Sequence, residues 1–253
     1  MSAKTKPGIG FFTLACCEGC QFTLLFIDEI TKLLEPFHII HFNLLKEKNP
    51  DEKFDLVFIE GAVTTDTERK EILSLRARSE YVVAMGSCAC FGGIPAMRNF
   101  VESKKLHKYV YHHRQHPHPV PASGIGEHIH VDYYMPGCPI IKEEMISFLQ
   151  SFKKGRLPEE YRGSVCDQCP RRGKDCLLKE KAECLGAVTR GGCGALCPSD
   201  NIPCMLCRGP TETAHIAAEI KLFEKFGLSE QDIHQRLNLF KNIEDPETWG
   251  RQP

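Results

Sequence analysis

The sequence predicts an α/β fold: a parallel sheet with helices on both faces, followed by an irregular second half built mostly from loops and short helices. Three observations carry that expectation. Short apolar runs alternate with helix-patterned stretches through the first half of the 253 residues. Those runs are continuous rather than alternating, as strands buried on both faces require. Beyond them, eight of the fourteen cysteines crowd into residues 166–207, where Gly and Pro abound and few apolar residues remain for an ordinary core.

The elements follow in order. Residues 9–14, I-G-F-F-T-L, make a first strand that ends at a cysteine loop. Phe22, Leu25, Phe26, Ile30, Leu33 and Leu34 then recur with helical spacing, which predicts one amphipathic helix. Residues 37–42 and 55–59 read as the second and third strands, the latter running into Glu60-Gly61. A polar stretch over 65–79, carrying Ile72, Leu73 and Leu75, reads as an exposed helix. Residues 81–85, Y-V-V-A-M, are a fourth strand delivered directly into Gly86-Ser87-Cys88. The span 103–130 is expected to be loop, with Pro117, Pro119 and Pro121 among its histidines. A helical pattern resumes over 139–152, and composition then shifts, placing a boundary between residues 1–155 and 156–253. Two closing helices over 211–226 and 229–240 precede an extended tail, where Trp249 is a candidate anchor.

Composition narrows the functional classes. Lys+Arg 32 against Asp+Glu 33 gives a net charge of −1, so no basic field points to nucleic acid. No apolar run approaches the roughly 18 residues of a membrane span, and no membrane insertion is expected. The opening residues show no secretory pattern, and a chain this long can bury a core without staples. Cytoplasmic location with reduced, metal-binding cysteines is therefore the expectation, rather than disulfides.

The cysteines fall into groups beside glycine or proline, where the backbone can bend several sulfurs toward one centre. Upstream stand Cys16, Cys17 and Cys20 in A-C-C-E-G-C, Cys88 and Cys90 in G-S-C-A-C, and Cys138 in P-G-C-P. Ligands of open α/β sheets bind outside the carboxyl ends of the strands. Cys17 and Cys20 follow the first strand, Glu60 the third and Cys88 the fourth, so their loops are expected on one edge. Downstream, Cys166, Cys169, Cys176 and Cys184 form one set of four, and Cys193, Cys197, Cys204 and Cys207 another. Four thiolates suit a [4Fe–4S] cluster or a structural zinc, since soft sulfur selects both. The spacing is looser than paired zinc knuckles and favours clusters; zinc stays open on these residues alone.

Four stretches resemble one family in order and in kind: Cys17-Glu18-Gly19-Cys20, Glu60-Gly61, Gly86-Ser87-Cys88-Ala89 with Gly92-Gly93, and Pro136-Gly137-Cys138-Pro139. They are similar to the small subunit of [NiFe] hydrogenases, related to the cluster-bearing subunit of respiratory complex I. The segment from Cys184 through Leu-Gly-Ala-Val-Thr-Arg-Gly-Gly to Cys193 extends the resemblance, which covers about residues 8 to 210. The resemblance implies a flavodoxin-like first domain and an iron–sulfur second domain. It also implies three [4Fe–4S] clusters: a proximal one on Cys17, Cys20, Cys88 and Cys138, a distal one on Cys166, Cys169, Cys176 and Cys184, and a medial one on Cys193, Cys197, Cys204 and Cys207. Cys166 stands where periplasmic members have histidine, and Cys197 where they have proline. That pattern resembles the cytoplasmic, cofactor-coupled hydrogenases of the F420-reducing, F420-non-reducing and sulfhydrogenase delta types.

The same resemblance implies a division of labour. No nickel site is expected in this chain; the Ni-Fe centre would sit in a partner large subunit. Electrons would pass through the three clusters to a further Fe–S or flavin subunit, the latter holding FAD. Glu18 and Glu60 are candidate proton-relay carboxylates, against readings as a turn residue and a solvated strand end. Cys16 and Cys90 are left over, as small buried side chains, as redox-active thiols, or as a ligand in place of a neighbouring cysteine. The tract His112, His113, His116 and His118 reads as a surface loop rather than a metal site. Two competing functions stay open: a quinone-coupling module of a complex I-like enzyme, and a non-enzymatic zinc-stabilised binding protein.

Overall fold

The computed structural model describes residues 6–46, 52–102, 105 and 119–240. The chain divides into two compact units, Met1–Pro158 and Glu159–Pro253. The histidine tract, the tail and Trp249 lie outside the described residues.

In the first unit, five parallel strands form one sheet. They are β1 (Gly8–Thr13), β2 (His38–Phe42), β3 (Phe54–Glu60), β5 (Ser79–Met85) and β7 (Tyr133–Met135), in spatial order β2-β1-β3-β5-β7. This is the flavodoxin-like order, whose switch point lies between β1 and β3. A separate antiparallel pair, β4 (Val63–Thr65) with β6 (Pro119–Ser123), accompanies it. The period of two along each strand sends alternate side chains to opposite layers. Phe11, Leu56, Phe58, Val83 and Met135 pack with Leu24, Leu34, Met145 and Phe148, whereas Phe12, Val57, Ile59 and Ala84 pack with Ile72, Leu75 and Ile125. Phe58 meets Phe148 edge-on at 5.4 Å between centroids, and both are fully buried. Each such side chain contributes about 2–3 kcal/mol of apolar burial.

Three expectations need correction. The single helix over 22–34 is two short ones, α1 (Gly19–Leu25) and α2 (Ile30–Leu34), separated by Glu29 at φ 58°. Phe22 and Phe26 belong to no core: they are 45% and 70% exposed and stack on each other at 6.4 Å. The span 103–130 is not all loop, since its described part contains β6 and a 3-10 turn at Ile125–Glu127.

The other helices of the first unit follow their local chemistry. α3 (Asp66–Ala77) starts at Thr65, whose hydroxyl accepts from Glu68 N–H at 3.2 Å, and Asp66 and Glu68 complement the helix dipole in its first turn. α4 (Gly86–Phe91) springs directly from the end of β5, carries Cys88 and Cys90, and stops at Gly92 in the left-handed region. α5 (Lys142–Phe152) buries Met145, Phe148 and Leu149. No helix among the described residues is long and apolar enough to cross a membrane.

The second unit has little regular structure. Short helices α6 (Val165–Gln168) and α7 (Leu196–Ser199) alternate with cysteine loops, and α8 (Ile216–Phe226) and α9 (Glu230–Leu237) close it. Leu185, Val188, Leu206, Ile216, Phe223, Ile233 and Leu237 form its apolar cluster. Ser229 caps α9 by accepting from Asp232 N–H at 3.2 Å.

Candidate metal centre

At the carboxyl edge of the main sheet, four loops are joined in pairs by backbone hydrogen bonds. Leu14 N–H donates to Glu60 O at 2.8 Å, and Ala15 and Ala62 exchange bonds of 3.3 and 3.0 Å, which joins the loops after β1 and β3. Ser87 N–H donates to Gly137 O at 2.9 Å, which joins the loops after β5 and β7. The Cys138–Pro139 peptide is cis. Cys17 and Cys20 thus leave β1 at the switch point, while Cys88 and Cys138 arrive on the same edge from β5 and β7.

The thiols are close enough to feel one another. Burial raises the Cys138 thiol, with the charges of Cys17 and Glu60 adding to it. Burial pushes Cys88 up to about 12, reinforced by Cys138, Cys17 and Glu60. Cys20 rises as well, through burial first and Glu60 second. Backbone hydrogen bonds from Ile140 to Cys20 and from Ile94 to Cys88 favour the thiolates. Such thiols hold their protons until a cation compensates the charge. Cys17 and Cys138 are exposed while Cys20 is buried, so the group is open on one side.

Cys16 belongs to the same neighbourhood. Burial pushes its thiol to about 12, followed by Glu60, with smaller contributions from Cys88 and Cys17, and its sulfur accepts from Glu18 N–H at 3.4 Å. Cys90 lies apart, buried under the sheet, with its thiol donating to Ala84 O at 3.4 Å.

Glu60 is neither solvated nor free. It is 2% exposed, and its carboxylate accepts from Cys20 N–H and Gln21 N–H, both at 3.1 Å. These are backbone groups of the first turn of α1, which the helix itself leaves without partners. The residue at the cap position, Glu18, sits at φ 63° and makes no side-chain cap. Glu60 therefore caps α1 from the end of β3 and fixes Cys20. Gln21, fully buried, donates to Thr13 Oγ1 at 2.6 Å and to Glu60 at 3.3 Å, while its Oε1 has no hydrogen-bond partner.

Two glycines keep the sulfurs in place. A Cβ on Gly86, at φ +83°, would lie 2.5 Å from Cys20 Sγ. A Cβ on Gly93, at φ +52°, would lie 2.7 Å from the Cys88 backbone. Only glycine tolerates both the left-handed backbone and the close approach.

Seven of the second unit's eight cysteines lie along one connected path. Burial pushes the Cys166 thiol to about 12, with Cys184, Cys169, Cys176 and Cys204 as charged neighbours in that order. Cys197 is raised by burial and then by Cys193. Cys204 reaches about 11 through burial, with Cys184 and Cys193 adding to it. Cys204 N–H donates to Cys184 Sγ at 3.3 Å, and Leu185 N–H to Cys204 O at 3.0 Å. The two sets of four therefore adjoin at Cys184 and Cys204. Gln168 ties them again: its Oε1 accepts from Gly192 N–H at 2.6 Å and Gly194 N–H at 3.2 Å, on either side of Cys193.

All fourteen cysteines are free thiols. Among the described residues no three His, Cys, Asp or Glu side chains gather closely enough to hold a single metal ion. The donor type nonetheless suits iron–sulfur chemistry: soft thiols near one another, with backbone N–H groups donating to sulfur. Sequence reasoning missed Gln21, Gln168, Thr189, whose hydroxyl receives the Cys204 thiol at 3.3 Å, and the buried Arg208. A polar residue beside each cysteine motif was the only signal available.

The family described as NADH ubiquinone oxidoreductase, 20 kDa subunit, matches residues 17–152, which hold the whole sheet-edge site. The chain belongs to that family. Among its relatives, sulfhydrogenase 2 subunit delta of Pyrococcus furiosus is 34% identical over 238 residues, covering 92% of this chain and 98% of the relative. A vhu subunit of the F420-non-reducing hydrogenase of Methanocaldococcus jannaschii is 29% identical, covering 81% of this chain and 82% of its own. A solved NAD+-reducing [NiFe]-hydrogenase superposes with a TM-score of 0.56 at 27% identity, covering 61% of this chain and 95% of that one. The expected kinship with hydrogenase small subunits and the flavodoxin-like sheet are both borne out.

Proposed function

We propose that this chain is the electron-transfer subunit of a cytoplasmic [NiFe] hydrogenase. It would work beside a large subunit that holds the Ni-Fe centre and a further Fe–S or FAD-containing subunit. The single observation that carries the reading is the sheet edge, where Cys17, Cys20, Cys88 and Cys138 sit on loops joined in pairs within the stretch that the family matches. Relatives that are themselves hydrogenase subunits, and that span most of the chain, support the partner and the reaction.

On this reading the sheet edge holds one [4Fe–4S] cluster; Cys166, Cys169, Cys176 and Cys184 hold a second, and Cys193, Cys197, Cys204 and Cys207 a third. Bound there, such clusters supply one-electron carriage. The chain's own part is to present four thiolates per site, to donate backbone N–H bonds to sulfur, and to bury the inner sulfurs, all of which set reduction potential. Glu60, as cap of α1, holds Cys20 in place; proton relay by Glu60 and Glu18 is a further part of the proposal. The exposed Phe22, on the helix that leaves the site, Phe26 just after it, and Ile94, Met97 and Phe100, past Cys88, suit a surface covered by the large subunit.

The test is Cys138→Ser in the purified complex. Iron should fall by about four atoms per complex, as one four-iron cluster is lost, and hydrogen-driven dye reduction should collapse. Full activity in that variant would refute the sheet-edge assignment. Zinc without iron in the parent would refute the cluster reading altogether.

A further inference from the structure

The largest fully buried side chain among the described residues is an arginine. Arg208 follows Cys207 directly and is 2% exposed. Its Nε donates to Gly191 O at 2.7 Å. A Cβ on Gly192, at φ +98°, would meet the guanidinium Nη2 at 3.0 Å and Cζ at 3.5 Å. The planar head therefore lies against the glycine pair that leads into Cys193, while its own backbone continues from Cys207. The same pair is pinned from another side by Gln168, which accepts from Gly192 N–H. One cation is thus bonded to the glycine pair that precedes Cys193, on a main chain that continues from Cys207.

We propose that Arg208 is an electrostatic tuning residue: its fixed charge raises the reduction potential of the cluster bound by Cys193, Cys197, Cys204 and Cys207. The inference rests on the three-cluster reading above. Guanidinium does not lose its proton in proteins, so the charge is the same at every working pH. Burying it is costly in a low-dielectric interior, and the cost is lowest where negative charge accumulates nearby. A cluster on four thiolates gains one further negative charge on reduction. A cation fixed against the backbone that leads into one of those thiolates therefore favours the reduced form. The expected consequence is that this station is easier to reduce than its ligand set alone would make it, so electrons rest there between the other two.

The test compares Arg208→Gln and Arg208→Lys in the purified complex, by iron analysis and by potentiometric titration of the cluster signals. Arg208→Gln should keep its iron and shift one cluster's reduction equilibrium toward the oxidised form by about tenfold, near 59 mV for one electron. Arg208→Lys, which keeps the charge, should move that potential by much less. Equal shifts in both variants, or none in either, overturn the proposal. Loss of iron from either variant overturns it too, since the guanidinium would then be a brace for the Cys193 loop. A parent complex without three titrating clusters brings down the underlying reading instead, and iron analysis of that parent separates the two failures.

Discussion

Replacing Glu60 should loosen the sheet-edge site before it disturbs the rest of the fold. Its carboxylate receives Cys20 N–H and Gln21 N–H, and those residues are 6% and 0% exposed. In Glu60→Ala both donors lose their acceptor where water has little access, at about 1–3 kcal/mol each. Loss of negative charge at the helix N-terminus adds about 0.3–1 kcal/mol. Relief of burying a carboxylate offsets part of this, leaving a net cost of about 2–4 kcal/mol. Glu60→Gln keeps one acceptor oxygen and should cost about half as much. α1 has only seven residues, too few to hold itself together without its cap. Amide hydrogen exchange reads the effect directly: Cys20 and Gln21 should exchange roughly 30- to 800-fold faster in Glu60→Ala. Amides of α3, on the opposite face, should be unaffected. Unchanged protection at both amides would refute the capping argument, whatever the variant's activity.

Other consequences can be checked independently. Gly86→Ala forces a methyl group within 2.5 Å of Cys20 Sγ at a left-handed backbone position, and should remove about four iron atoms while leaving the second unit's iron intact. Glu219 is 5% exposed with Oε1 lacking a partner, and burial raises its carboxyl from 4.5 to about 7. Because the folded-state value lies above the unfolded one, its ionisation penalises folding, a penalty absent below pH 4.5 and fully developed above pH 7. Thermal melts of the apo-chain should show the second unit losing about 3 kcal/mol across that window, and Glu219→Gln should flatten the dependence. Arg190 pairs with Glu160 at 2.6 Å, with side chains 10% and 33% exposed. Glu160→Ala should cost about 2 kcal/mol in denaturant unfolding, and a double-mutant cycle with Arg190→Ala should recover part of it. Glu18→Gly should raise stability by about 1 kcal/mol, because Glu18 occupies a left-handed conformation at φ 63°.

Local chemistry explains why parts of the molecule can be read directly. Four strands announce themselves as apolar runs, though His38 and His41 interrupt that of β2, and α3 announces itself through Ile72, Leu73 and Leu75 in a polar stretch. β7 does not, since three residues carry no period, although it delivers Cys138 to the site. The stripe from Phe22 to Leu34 misleads for a different reason. Helical spacing says which residues share a face, not whether that face meets the core, and here Phe22 and Phe26 meet solvent.

The sequence by itself determined four strands of the sheet, the crowding of the cysteines along the chain and the kinship, because apolar runs, Gly- and Pro-flanked thiols and ordered motifs are all local signals. Only the tertiary structure decided how each group is held. Glu60 reaches Cys20 across 40 residues, Gln168 reaches Gly192 across 24, and Arg208 reaches Gly191 across 17. It also decided that Cys16 lies among the sheet-edge thiols and Cys90 does not. The physical reason is common to all of these: a cap, a clamp or a buried charge is chosen by proximity in space, and spacing along the chain carries no record of it.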